Sequence, residues 1–316
     1  VRQREVDVRV REVGPRDGLQ MVAEFFPTQE KLAWIRAEAS AGVGEIEVAS
    51  LVPPKLVPQF IDAGEVIEES LKIEGLSVMA LVPNLRGATR AIEAGVHQIN
   101  FVMSVSRTHN LKNVRRERED SLIDFAAIGK LVQAVPEKKR PRLIGGLSSA
   151  MGCAYEGAVD EIEVIRFAVE LAELGATEIL VADTVGHADP RSVERLFRNV
   201  ISAVAPLPVG AHFHDTRGLG LANVVAALDV GVRCFDASLA GLGGCQFVPA
   251  ATGNIVMEDL CFLLDSMGFD TGVDLERLVA VREVIARNLK VPLYGALARA
   301  GLPTNYVAAA SQRLPL

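Results

Sequence analysis

The sequence predicts an α/β protein built as a (β/α)8 TIM barrel, eight strands alternating with eight helices, with an added C-terminal helical segment. Three observations carry that expectation. Strand-like and helix-like periodicities alternate without interruption from residue 6 to about residue 267, the strand-like runs number eight, and no Gly-x-Gly-x-x-Gly follows the first of them as it would in a dinucleotide-binding open sheet. The 316 residues exceed a usual single domain, but repeated strand–helix units run to about 250 residues as one. Residues 1–270 are accordingly assigned to a catalytic barrel and 271–316 to a helical extension packed on it.

The elements follow in order. Residues 6–14 alternate apolar and polar positions, from Val6 through Val8, Val10 and Val13, and stop at Gly14-Pro15, so a strand leads into a turn. Between residues 28 and 41, Leu32, Ile35 and Ala39 recur at helical spacing, with Thr28 as expected N-cap and Gly42 just past the end. Strands near 44–51 and 77–82 then alternate with helices near 58–70 and 86–94. Further strand-like runs occupy 98–105, 142–147, 178–182, 209–213 and 234–239. Helical stretches near 119–135, 159–174, 190–204 and 219–230 separate them, and another follows at 255–267. Residues 273–289 are amphipathic, with a shorter helical stretch near 293–300.

Composition narrows the partners. With 49% hydrophobic and 23% charged residues the chain has ample material for a core. A net charge of −7 argues against a nucleic-acid surface, which needs clustered basic residues, and favours a small-molecule partner. Cys153, Cys234, Cys245 and Cys261 form no Cys-x-x-Cys pair, which fits a reduced intracellular compartment. No apolar run is long enough for a bilayer and residues 1–5 have no signal-peptide character, so the expected location is cytoplasmic, with no membrane partner.

A barrel of this kind carries its reactive groups at the carboxyl ends of its strands. Arg16-Asp17 follows the first strand, Glu47 lies late in the second, Asp183-Thr184 closes the sixth, and His212 and His214 close the seventh. Cys245 and Asn254 lie in the long loop after the eighth. His212 and His214 are two of only five histidines and, at i and i+2 on a strand, share a face. One carboxylate, two imidazoles and an amide oxygen suit a divalent cation of intermediate hardness and leave room for two substrate oxygens. Simpler readings stand beside these. Asp17 before Gly18 is also ordinary turn chemistry, Arg16 a surface ion-pair partner, and Asp215 a helix cap outside the site. Glu47 and Asp183, set in apolar strands, must be paired or bound if buried. Gly241-Leu242-Gly243-Gly244-Cys245 reads as a mobile lid bearing one thiol. The basic run Arg115-Arg116-Glu117-Arg118 reads first as a solvated helix start, with contact to nucleotide phosphates as the alternative.

Four motifs in this order, Val13-Gly14-Pro15-Arg16-Asp17-Gly18-Leu19-Gln20, His212-Phe213-His214-Asp215-Thr216, Gly241-Leu242-Gly243-Gly244-Cys245 and Ala251-Thr252-Gly253-Asn254, resemble the hydroxymethylglutaryl-CoA lyase family of metal-dependent barrel lyases. The resemblance spans about residues 6–290. It implies Mg2+ or Mn2+ held by Asp17, His212, His214 and Asn254, and Arg16 stabilising the enolate of a thioester. It further implies Glu47 and Asp183 in proton transfer or in ordering the metal's ligands, His212 as a proton carrier as well as a ligand, and Cys245 on a closing lid. The implied reaction cleaves a 3-hydroxy-3-methylglutaryl thioester to acetyl-CoA and acetoacetate, in a homo-oligomer, commonly a dimer. Departures from the family pattern at Met21-Val22, Gln246-Phe247-Val248-Pro249 and Arg217 bear on the substrate. A related 3-hydroxyacyl-CoA such as citramalyl-CoA is therefore the near alternative, and a condensing acyltransferase of the same superfamily the further one.

Overall fold

The computed structural model describes residues 5–244, 253–304, 306 and 308. Strands β1 (Arg9–Glu12), β2 (Glu45–Ser50), β3 (Ser77–Leu81), β4 (Gln98–Ser104), β5 (Arg142–Ser148), β6 (Glu178–Asp183), β7 (Val209–Phe213) and β8 (Cys234–Ala237) close in sequential order into a parallel barrel. Around it lie α1 (Thr28–Ser40), α2 (Ala63–Ser70), α3 (Leu85–Ala94), α4 (Arg107–Val114), α5 (Arg118–Gln133), α6 (Glu161–Glu173), α7 (Pro190–Val204), α8 (Gly220–Asp229) and α9 (Met257–Ser266). Two further helices, α10 (Leu275–Asn288) and α11 (Ala296–Ala300), follow. The barrel expected from sequence is thus present.

The strands sit in sequence as near-continuous apolar runs because both faces are covered: every residue of β2, β6, β7 and β8 is buried. Side chains alternate between the helical shell and the interior. Facing outward, Phe213 meets Phe197 of α7 with ring centroids 5.9 Å apart, and Phe101 meets Phe125 of α5 at 5.4 Å. The interior is layered. At the amino-terminal end Arg11, fully buried, lies 2.5 Å from Glu178, 3.3 Å from Asp236 and 3.4 Å from Glu45. Two residues further along their strands, Met79, Ile144 and Leu180 form a small apolar layer. Register then sets His212 beside Ala182 and Asp236, one layer nearer the carboxyl ends.

Four local details differ from the expectations. The strand over 6–14 contracts to β1, because residues 14–18 fold into a π-turn. The N-cap of α1 is Pro27, and Thr28 instead donates its hydroxyl to Asp62 at 2.8 Å. The helix near 58–70 divides into a short 3-10 turn over Pro58–Phe60 and α2, which begins at Ala63. The additional helix, α4, was not legible as one because it buries only His109 and Asn110 and so lacks an apolar stripe.

Beyond the barrel, α10 buries Leu275, Leu278, Val281 and Ile285. It is tied to α1 by the Asp274 N–H on the Ala41 carbonyl at 2.7 Å and by Asn288 on Glu30 at 3.0 Å. No described helix is long and apolar enough to cross a membrane.

Candidate active site

The turn after β1 creates the first part of the site. The N–H groups of Arg16, Asp17 and Gly18 all fold back on the Val13 carbonyl, at 3.1, 2.6 and 3.4 Å. Gly14 is required there, since a Cβ would come within 2.5 Å of Glu12 Oε1 and 2.8 Å of the Trp34 ring. The turn sets Arg16 and Asp17 side by side, Nη1 to Oδ1 2.6 Å. Arg16 Nε donates to Glu47, whose other oxygen accepts from Asn100 Nδ2 at 2.8 Å. Glu47 is wholly buried, as its apolar strand implied, and its charge is met by the guanidinium.

Chain return supplies the second part. Residues 253–256 run back along the strand ends, with Ile255 N–H on the Phe213 carbonyl at 3.1 Å and a bridge between His214 and Asn254. Asn254 Nδ2 donates to Asp17 Oδ2 at 2.9 Å and to the Leu242 carbonyl at 3.0 Å. From β7, His212 and His214 turn into the barrel with their Nε2 atoms 3.1 Å apart. His212 Nδ1 pairs with Asp236 Oδ2 at 3.1 Å, which assigns the proton to Nδ1 and leaves the Nε2 lone pair facing inward. Ligand atoms of Asp17, His212 and His214 all lie within 4.8 Å of one another.

Burial opposes charge on all three, but neighbours decide the outcome. Against that burial, Arg16 and the two imidazoles bring the Asp17 carboxyl down to about 2. Burial and the adjacent His212 lower His214 to about 4, so it is neutral. Asp236 outweighs burial at His212 and raises it. With their Nε2 atoms 3.1 Å apart beside an ionised carboxylate, the two imidazoles need a proton or a cation between them. Two further buried acceptors or donors, Asn254 Oδ1 and His214 Nδ1, have no hydrogen-bond partner among the described residues. The donor set therefore fits a divalent cation of intermediate hardness.

Other expected residues go elsewhere. Asp183 pairs in register with Phe213, not with His212, so it turns outward to the helical shell. Its two oxygens accept the N–H groups of His187 and Ala188, each at 2.9 Å, and brace the loop after β6. Asp215 accepts the Gly220 N–H at the start of α8 at 2.8 Å. Arg217 donates to the Val185 and Gly186 carbonyls at 2.8 and 3.0 Å and does not line the cavity, whereas Met21 does. Cys245 lies outside the described residues. Sequence reasoning missed Asp236 and Asn100. Both are polar residues inside buried strands, so the argument that singled out Glu47 would have found them.

These groups open on a cavity of about 570 Å³ at the carboxyl end of the barrel. Its inner wall carries Arg16, Asp17, Asn100, His212, His214 and Asp236, its sides are largely apolar through Val52, Leu81, Val82, Val102 and Leu147, and Lys112, Arg115 and Arg116 stand at its α4 edge. Ser148 and His109 also line it, joined through Ser104, whose Oγ lies 2.7 Å from Ser148 Oγ and 2.5 Å from His109 Nδ1.

Residues 7–285 match the family model described as HMGL-like. The chain is 38% identical over 286 residues to the hydroxymethylglutaryl-CoA lyase of Bacillus subtilis, covering 90% of this chain and 94% of that protein. It is 37% identical over 272 residues to a Pseudomonas aeruginosa 3-hydroxy-3-isohexenylglutaryl-CoA/hydroxymethylglutaryl-CoA lyase, covering 86% and 89%. Among solved structures, an Acinetobacter baumannii HMG-CoA lyase in complex with coenzyme A and 3-methylmalate superposes with a TM-score of 0.89 at 38% identity, covering 95% of this chain and 97% of that one.

Proposed function

The chain belongs to the HMGL-like family, and from that premise we propose that it is a divalent-metal-dependent carbon–carbon lyase cleaving 3-hydroxy-3-methylglutaryl-CoA, or a near homologue, to acetyl-CoA and a keto acid, acetoacetate for the methyl substrate. The observation that carries the reading is the convergence of Asp17, His212 and His214 from opposite ends of the chain, beside Arg16, on one cavity.

Bound by Asp17, His212, His214 and Asn254, Mg2+ or Mn2+ would lower the pKa of the substrate's tertiary hydroxyl and order its oxygens. Arg16 is the electrophile of the site. Glu47 and Asp17 hold its guanidinium in one orientation, so it meets the thioester oxygen where negative charge gathers as the carbon–carbon bond breaks. Asn100 holds Glu47 in turn. Asp236 fixes the His212 tautomer, which supports assigning His212 both as ligand and as proton carrier. Cys245 belongs to the lid in this proposal, as the thiol that gates or supplies the proton completing acetyl-CoA.

A related thioester is the second reading. It is favoured by Met21 at the cavity wall and by a relative whose name includes a longer-chain 3-substituted glutaryl-CoA. The test is release of acetyl-CoA from a panel of 3-hydroxyacyl-CoA thioesters, citramalyl-CoA included, with Mg2+ and with Mn2+. Cleavage of one member identifies the substrate, and cleavage of none sinks the lyase reading in favour of the condensing one. The proposal also includes a cytoplasmic location, supported by the buried free thiols of Cys153, Cys234 and Cys261. It includes a homodimer, which sedimentation would count, and residues 271–316 as an extension of one barrel, supported by the packing of α10 on α1.

A further inference from the structure

The residue at the base of the loop after β8 is gripped on both of its backbone polar groups from the C-terminal side of the chain. Ala240 lies in the left-handed region at φ 58°, a conformation that crowds any residue with a Cβ and persists only where its neighbours impose it. Its N–H donates to Glu258 Oε2 at 2.9 Å, and its carbonyl accepts the Tyr294 N–H at 2.9 Å. Glu258 stands in the first turn of α9, and Tyr294 lies between α10 and α11. One side chain ties the two grips together. Arg282 of α10 donates through Nη1 to Glu258 Oε1 and to the Tyr294 carbonyl, the latter at 2.6 Å, one hydrogen of that nitrogen for each acceptor. Glu258 is fully buried and Arg282 largely so, and the guanidinium opposes the upward push that burial gives the carboxyl.

What the grip controls lies two residues on. The Leu242 carbonyl accepts from Asn254 Nδ2 at 3.0 Å, which fixes the rotation of the amide and leaves Asn254 Oδ1 buried with no partner among the described residues. The two segments are in close contact. A Cβ on Gly243 would come within 2.6 Å of Asn254 Nδ2, and one on Gly241 within 3.4 Å of the Asn254 carbonyl oxygen. A shift of the loop base therefore carries the Asn254 amide with it. Neither Arg282 nor Glu258 lines the cavity, so neither acts on substrate directly. An ion pair needed only to fasten α10 to α9 would have no reason to hold both polar groups of one strained residue. The extension is also fastened where the loop is not involved, by the Asp274 N–H on Ala41 and by Asn288 on Glu30.

Resting on the metal-dependent reading above, we propose that Arg282 is a positioning residue for the metal centre. Through Glu258 and Tyr294 it fixes Ala240, through Ala240 it places Leu242, and through Leu242 it sets the orientation in which Asn254 presents its amide oxygen to the cation. The C-terminal extension is thereby part of the support of the site, although no described residue of it lines the cavity. Such supporting contacts act on metal affinity more than on the chemical step, because they hold a ligand rather than the reacting atoms.

The experiment titrates metal-stripped protein with Mn2+ alone by calorimetry and measures acetyl-CoA release at low and at saturating Mn2+. Arg282→Met is expected to raise the Kd for Mn2+ by about tenfold. Its kcat falls at low Mn2+ and returns to within about threefold of the parent at saturation, with KM for the thioester unchanged. Asn288→Ala, which loosens α10 from α1 away from the loop, leaves the Kd for Mn2+ within about twofold of the parent. Should Arg282→Met fail to fold, Arg282→Met combined with Glu258→Gln leaves no buried charge unmatched and carries the same expectation. An unchanged Kd in the Arg282 variant, or an equal rise in Asn288→Ala, overturns the proposal. If the parent cleaves no thioester, the lyase reading fails while the Mn2+ titration still decides the role of Arg282.

Discussion

At the scale of single residues, the site is a division of labour among charges that burial alone would neutralise. Arg16 is the clearest case: Asp17 and Glu47 hold its guanidinium from two sides. Arg16→Met is expected to lower kcat about 10²–10³-fold while leaving Mn2+ retention intact, read by steady-state kinetics and by metal analysis of the purified variant. Survival of turnover within tenfold contradicts the enolate role. Asp236 is the complementary case. It touches His212 on one side and the buried Arg11 on the other. In Asp236→Asn the amide can no longer fix the Nδ1–H tautomer unambiguously, so metal affinity should fall about 10–100-fold, measured as the Kd for Mn2+. An unchanged Kd would remove Asp236 from the support of the site.

At the scale of elements, two loops are fastened to one another by a carboxyl pair behind the site. Glu12 at the end of β1 accepts the Gly14 N–H at 2.5 Å and the Leu239 N–H at 2.9 Å, so it joins the turn bearing Asp17 to the start of the loop after β8. Glu38 of α1 faces it, wholly buried, with no donor aligned on either of its oxygens among the described residues. Burial pushes Glu12 up to about 8, and burial with the neighbouring Glu12 charge pushes Glu38 well above the ordinary carboxylate range. The folded protein thus keeps protons that an unfolded chain releases near 4.5. The stability this contributes is complete below that value and is lost as pH rises through about 8. Glu38→Gln, which has no proton to lose, should flatten the dependence of urea-unfolding stability on pH between about 5 and about 9. A slope equal to that of the parent protein would show that the pair does not titrate there.

The same elements explain what could be read before any coordinates. Eight strands were legible because strands covered on both faces leave long apolar runs, and the charged residues interrupting them, such as Glu47, are there for the site. The direction in which Asp183 turns was not legible, because sequence does not state which way a strand residue faces; its register with Phe213 does. Helix α4 was hidden because it packs by polar contacts, with Asn110 bonding to the Ser104 N–H, the Arg116 carbonyl and the Ser121 hydroxyl.

At the scale of the whole molecule, the barrel is closed at one end by ions and open at the other to its cavity. Arg11, with Arg9 and Arg142 beside it, balances Glu45, Glu178 and Asp236 where a more usual barrel would hold aliphatic layers. Arg11→Met removes the one arginine among the described residues that reaches Asp236 and the fully buried partner of Glu178, and is expected to cost about 3–5 kcal/mol in urea unfolding. A cost under about 1 kcal/mol would show that the ions are solvated. Through Asp236 this floor is continuous with the histidines, so the fold and the site share one electrostatic column. At the top of that column the proposed chemistry depends on a cation. The direct test is acetyl-CoA release from the cleaved thioester by protein stripped with a chelator, before and after Mg2+ or Mn2+ is returned, beside His214→Ala treated identically. The expected result is no release from the stripped protein, recovery on return of the cation, and no recovery in the variant; undiminished release without the cation would contradict metal-dependent cleavage.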